Sequence, residues 1–177
     1  LGGAALLYRQ LGQSVETDQL AAREEQQQES GGGSEPEQKT EAPDFTVYDR
    51  EGREVRLSDY TGKPIVLNFW ASWCGPCQSE MPDFHEKYLE LGDEIQFLMV
   101  NATDGSRETV ETASAFVEEN AYTFPVLYDT QSLAAYAYGA YSLPSTFFID
   151  ADGNLVARAA GAIDGETLQR GIDMIAG

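Results

Sequence analysis

Two thiols stand three residues apart in Trp73-Cys74-Gly75-Pro76-Cys77, and they are the only cysteines in the 177-residue chain. Whatever they do, they do as a pair. The run before them, Pro64 to Trp70, is nearly all apolar and reads as a strand buried on both faces. The run after them reads as a helix from Gly75 to Leu91, with Gly92 as its C-terminal stop. Cys74 therefore falls at a helix N-terminus and Cys77 one turn inside. Unpaired N–H groups and the helix dipole at that end favour a thiolate, drawing a thiol pKa from about 8.5 toward about 7 or lower. Cys77 is close enough to resolve any mixed disulfide that Cys74 forms. Pro76 is tolerated there because its missing N–H has no intrahelical partner. The pair reads as a two-electron dithiol/disulfide site.

Other uses of the pair need more than the chain offers. Zinc needs further ligands, and the single histidine, His85, comes eight residues after Cys77. Covalent haem attachment needs histidine directly after the second cysteine, where Gln78 stands. A structural disulfide remains open, although so short a loop removes little chain entropy. Weaker features point to structure. Asp150-Ala151-Asp152-Gly153-Asn154 brushes a calcium loop but lacks its closing glutamate, so a hairpin turn is expected. Asn101-Ala102-Thr103 fits a glycosylation pattern but ends a buried strand. Tyr136, Tyr138 and Tyr141 read as aromatic packing, with lining of a partner surface as the alternative, and His85 as an exposed helix residue.

The elements around the pair follow from periodicity. Phe45–Tyr48 and Glu54–Leu57 flank a glycine-bearing turn and predict a hairpin. Further strands are expected at 95–101, 125–128, 146–150 and 155–160, and helices at 106–120, 131–138 and 165–176, the last with Asp164 as N-cap. Strands and helices alternate before a late antiparallel hairpin. That order predicts an α/β fold, a mixed sheet covered by helices.

Composition bounds the partners. Eleven basic against thirty acidic residues give a net charge of −19, a surface that repels phosphate and excludes nucleic acid as a partner. Residues 10–43 hold a low-complexity acidic stretch, Glu24 to Ser34, with no aromatic residue from Gln10 to Ala42. Such a segment buries too little apolar surface to offset its ordering entropy and reads as a flexible linker. Residues 1–9 are expected to be the remnant of a membrane anchor or signal-anchor. Residues 44–177 form the expected globular domain.

Two motifs carry a family resemblance. Phe69-Trp70-Ala71-Ser72-Trp73-Cys74-Gly75-Pro76-Cys77 resembles the thioredoxin active-site segment, and Leu143-Pro144-Ser145-Thr146-Phe147-Phe148-Ile149-Asp150 resembles the second thioredoxin signature. The insertion near 104–125 and the opening hairpin are similar to the TlpA/ResA group of membrane-anchored, extracytoplasmic thioredoxins. The resemblance implies a thioredoxin fold with an N-terminal hairpin extension and an inserted helix. It implies that Cys74 is the nucleophile, Cys77 the resolving cysteine, and Pro144 a cis-proline beside them. Leu143 is then left to pair with a substrate strand, and Trp73, Gly75 and Pro76 join it as substrate-binding residues. Asn68 stands where cytoplasmic thioredoxins have a buried acid, and an amide cannot move a proton. Glu80 matches a glutamate that the group keeps near its cysteines, and is expected to accept the proton or tune the pKa.

The resulting expectation is a tethered extracytoplasmic thiol:disulfide oxidoreductase, monomeric and free of cofactor or metal. Gly75-Pro76 resembles the dipeptide of reducing thioredoxins. Its expected partners are protein disulfides, apocytochrome c among them, and an upstream membrane thiol donor. Two rivals are a peroxiredoxin-like peroxidase, which wants a lone cysteine supported by Pro, Thr and Arg and finds no Arg near Cys74, and a non-catalytic partner-binding module.

Overall fold

The computed structural model describes residues 20–22 and 39–177. The stretch read as an anchor, 1–9, lies outside the described residues, as does most of the stretch read as a linker. In chain order the strands are β1 (Leu20–Ala22), β2 (Thr46–Tyr48), β3 (Glu54–Arg56), β4 (Ile65–Trp70), β5 (Gln96–Asn101), β6 (Val126–Tyr128), β7 (Ser145–Ile149) and β8 (Leu155–Ala160). The helices are α1 (Gly75–Leu91), α2 (Val110–Glu119), α3 (Leu133–Tyr138) and α4 (Gly165–Ile175).

β4 sits at the middle because all six of its residues are buried. It pairs in parallel with β5 and antiparallel with β7, and the sheet runs β1-β8-β7-β4-β5-β6-β2-β3. Successive side chains of a strand point to opposite faces. Val66 and Trp70 therefore join the core that holds both cysteines, with Met81 and Phe84 of α1, Ala113 of α2 and Leu168 and Ile172 of α4. Ile65, Leu67 and Phe69 join the opposite core with Phe45, Val47, Tyr138 and Phe147. This is the expected mixed α/β sheet with helices on both faces, opened by a hairpin and carrying an inserted helix.

Three expectations change in detail. The helix expected from 106 begins at Val110, because Asp104 Oδ1 accepts the N–H groups of Ser106 and Glu108 and holds that stretch in a turn. Thr109 then caps the helix by accepting the Thr112 N–H at 3.1 Å. Gly92 ends α1 at φ −61°, an ordinary right-handed conformation. Glycine is needed there for space, since a Cβ would lie 2.6 Å from the Tyr88 carbonyl oxygen. His85 is half-buried rather than exposed, bonded to Thr123 at 3.0 Å and ringed by Tyr88, Tyr122 and Phe124.

Two segments before residue 44 are paired. Leu20–Ala22 lies antiparallel against Ala157–Ala159, and Thr40–Ala42 runs beside Gly153–Leu155 through bonds of 2.8 and 2.9 Å. The sequence boundary at 44 therefore falls inside a segment already bonded to the sheet.

Candidate active site

Cys74 is the N-cap of α1, and its Sγ accepts the Cys77 N–H at 3.3 Å. The backbone of Cys74 is extended, at φ −84° and ψ 109°, and this turns its sulfur back over the first helical turn. Cys74 and Cys77 are joined in a disulfide, with Cα atoms 5.2 Å apart. Both are buried, whereas Trp73, Gly75 and Pro76 are exposed around them. The sulfurs are thus shielded from below and rimmed by groups a partner can touch.

The Leu143–Pro144 peptide bond is cis. Pro144 is buried, and Leu143 packs between the two cores, against the cluster that contains both cysteines. The register Asn68↔Thr146 ties β7 to β4 two residues after Pro144. Tyr138 is buried and donates to the Pro43 carbonyl at 2.8 Å, as aromatic packing requires. Tyr136 and Tyr141 are instead 77% and 74% exposed, so the packing reading holds for Tyr138 and not for these two.

Glu80 is 2% exposed. It lies three residues after Cys77, on the same inward face of α1. Its Oε1 accepts Asn68 Nδ2 at 2.8 Å and its Oε2 accepts the Ile163 N–H at 3.1 Å. Burial pushes its pKa up to about 7, against the opposing pull of those two hydrogen bonds. A group balanced there can exchange a proton near neutral pH. Asn68 spends its other amide proton on Thr146 Oγ1 at 3.1 Å, linking α1, β4 and β7.

Sequence reasoning missed two residues. Arg107 lies 3.6 Å over the Trp73 ring, so a cation does stand beside the cysteine loop. Glu108 is wholly buried and accepts both the N–H and the hydroxyl of Ser72. Neither carried a local signal, because reading a helix from 106 put both on its first turn. Among the described residues no cluster of His, Cys, Asp or Glu could hold a metal ion.

The sequence pattern of the AhpC/TSA family matches residues 39–158. The chain belongs to that family, in its thioredoxin-like form. Its relatives in the family share the site's chemistry by name. The thiol-disulfide oxidoreductase ResA of Geobacillus thermodenitrificans is 38% identical over 76% of this chain and 75% of its own length. Among solved structures, a DsbF homologue from Corynebacterium diphtheriae superposes with a TM-score of 0.69 at 29% identity, over 82% of this chain and 96% of that one. The pneumococcal exposed lipoprotein thioredoxin Etrx1 from Streptococcus pneumoniae gives 0.61 at 35% identity, over 74% and 99%. With its CxxC disulfide at a helix N-terminus, this AhpC/TSA member is a thioredoxin-like thiol:disulfide oxidoreductase.

Proposed function

We propose that the protein reduces disulfides of other proteins on the outer side of the cytoplasmic membrane. Reduced Cys74, as thiolate, attacks one sulfur of a partner disulfide, forming a mixed disulfide and releasing the other sulfur as a thiolate. Cys77 gives its proton to Glu80 and attacks Cys74 Sγ, which frees the partner's second thiolate and leaves the Cys74–Cys77 disulfide. Two electrons pass to the partner, and a membrane-bound dithiol donor returns two to the pair. The carrying observation is the Cys74 sulfur at the N-cap, aimed at the Cys77 N–H, with Leu143, the residue before cis-Pro144, packed against the core that holds both cysteines.

Leu143, Trp73, Gly75 and Pro76 form the proposed docking rim, Leu143 offering its backbone to a partner strand. Location outside the membrane is supported by the likeness to Etrx1, itself called an exposed lipoprotein. Among the described residues no helix is long and apolar enough to cross a membrane; residues 1–9 are proposed as the anchor remnant, and the part of 10–43 outside the two segments paired with the sheet as the linker. Apocytochrome c is the proposed substrate by resemblance to the TlpA/ResA group, and the acidic surface suits a basic partner.

The direct test is insulin reduction with dithiothreitol as donor. The wild type is expected to turn over and Cys74→Ser to be inert. Equal rates in the two would leave only a binding module, and peroxide consumption in place of insulin reduction would mark a peroxidase. Cys77→Ser in the native envelope is expected to trap the physiological partner as a stable mixed disulfide.

A further inference from the structure

Glu108 is a wholly buried carboxylate that the thiol chemistry above leaves without a task. Among the described residues no Lys or Arg forms an ion pair with it. A carboxylate buried without a counter-charge is costly unless hydrogen bonds fill its lone pairs. Four donors do so. Oε2 accepts the Ser72 N–H and Asn101 Nδ2, the latter at 3.0 Å. Oε1 accepts the Ser72 and Thr112 hydroxyls, both at 2.6 Å. Half of these bonds come from one residue, two positions before Cys74.

Ser72 is held on its other side as well. Its carbonyl accepts Gln78 Nε2 at 2.6 Å, a side chain from the first turns of α1. The turn closes where the Cys74 N–H meets the Ala71 carbonyl at 3.2 Å. Ser72 is thus the bolt of the loop that aims Cys74, and Glu108 is its seat. Only a carboxylate accepts at all four sites; glutamine would turn an N–H toward two of the donors.

We infer that Glu108 is a positioning residue for the exchange reaction: it fixes Ser72 so that Cys74 Sγ meets the Cys77 N–H at the start of α1. The inference rests on the reading of Cys74 as nucleophile. When the bolt loosens, the thiolate loses part of that N–H contact and becomes less stable.

The test compares Glu108→Gln, Ser72→Ala, their double variant and Ser114→Ala in the full chain. Ser114→Ala serves as the control, since it breaks a buried 2.8 Å bond from α2 to Tyr128 and does not touch the loop. In a Cys77→Ser background, the pH profile of Cys74 alkylation by iodoacetamide reads thiolate stability directly. Insulin reduction is read with Cys77 intact. Glu108→Gln is expected to move the alkylation midpoint to higher pH and to slow insulin reduction about tenfold. Ser72→Ala is expected to move both the same way by less, and the double variant to do no more than Glu108→Gln alone. Ser114→Ala should lower Tm and leave both readouts in place. An unchanged midpoint in folded Glu108→Gln overturns the inference, and so does a downward shift, which would mark Glu108 as a negative charge acting at a distance. If Glu108→Gln does not fold, the Ser72→Ala midpoint decides by the same criterion. Alkylation needs no turnover, so a wild type inert toward insulin brings down the functional reading and leaves this comparison to decide the inference.

Discussion

At the scale of single residues, Glu80 couples the fold to the chemistry. Its pKa in the folded chain, about 7, lies above the ordinary glutamate value of 4.5. The folded state therefore holds the proton more tightly than the unfolded state does. That contribution is complete below about pH 4.5 and is lost as pH rises through about 7, a change on the order of 3 kcal/mol. Thermal unfolding of the wild type should weaken over that window, and Glu80→Gln, neutral throughout, should lack that component. The same titration bears on catalysis. In the proposed mechanism only ionised Glu80 can take the Cys77 proton, so release of the mixed disulfide should speed up as pH rises through about 7. Glu80→Gln should lose that inflection and slow release by about a hundredfold in stopped-flow measurements. A variant that is slower but keeps the inflection would place the proton elsewhere.

At the scale of elements, α4 is pressed onto β7 through Gly171. A Cβ at Gly171 would overlap the ring of Phe148, which is itself fully buried between sheet and helix. Gly171→Ala should therefore cost about 1 to 3 kcal/mol by overpacking, read as a fall in the denaturant midpoint. The start of the same helix is held by Asp164, whose carboxylate accepts the Thr167 N–H at 2.8 Å, as its position in the sequence predicts. Asp164→Ala should cost about 1 kcal/mol and leave thiol exchange per folded molecule unchanged. Both changes lie on the helix that follows the Ile163 contact to Glu80. If Asp164→Ala moves the pH inflection, the start of α4 is part of the redox apparatus and not merely its support.

At the scale of the whole molecule, charge sets the terms of encounter. The chain carries −19, and among the described residues Arg107 is a cation stacked beside the cysteine loop. A basic disulfide peptide should be reduced faster than an acidic one of equal length at low ionic strength. The gap should close as salt shortens the Debye length from about 10 Å at 0.1 M to about 3 Å at 1 M. A salt-independent ratio would mean that contact with the rim, and not the long-range field, chooses the partner. Arg107→Ala should leave that ratio in place and change only the exchange rate, by freeing the Trp73 ring.

Much of this was legible in the chain itself. The buried strand, the helix beginning between two cysteines and the Asp164 cap are local patterns, because periodicity, caps and turn residues act over a few positions. The sequence by itself therefore determined the dithiol, its asymmetry and the alternation of strands and helices. Tertiary structure alone decided what surrounds them. Glu80 looks the same in sequence whether solvated or buried, and only the packing of α1 against Asn68 and Ile163 removes its water and lifts its pKa. Glu108 and Arg107 reach the cysteine loop from a segment more than thirty positions away, carried there by the parallel pairing of β4 with β5. Contacts across that distance depend on register and on how the sheet closes, and no local pattern of residues records either.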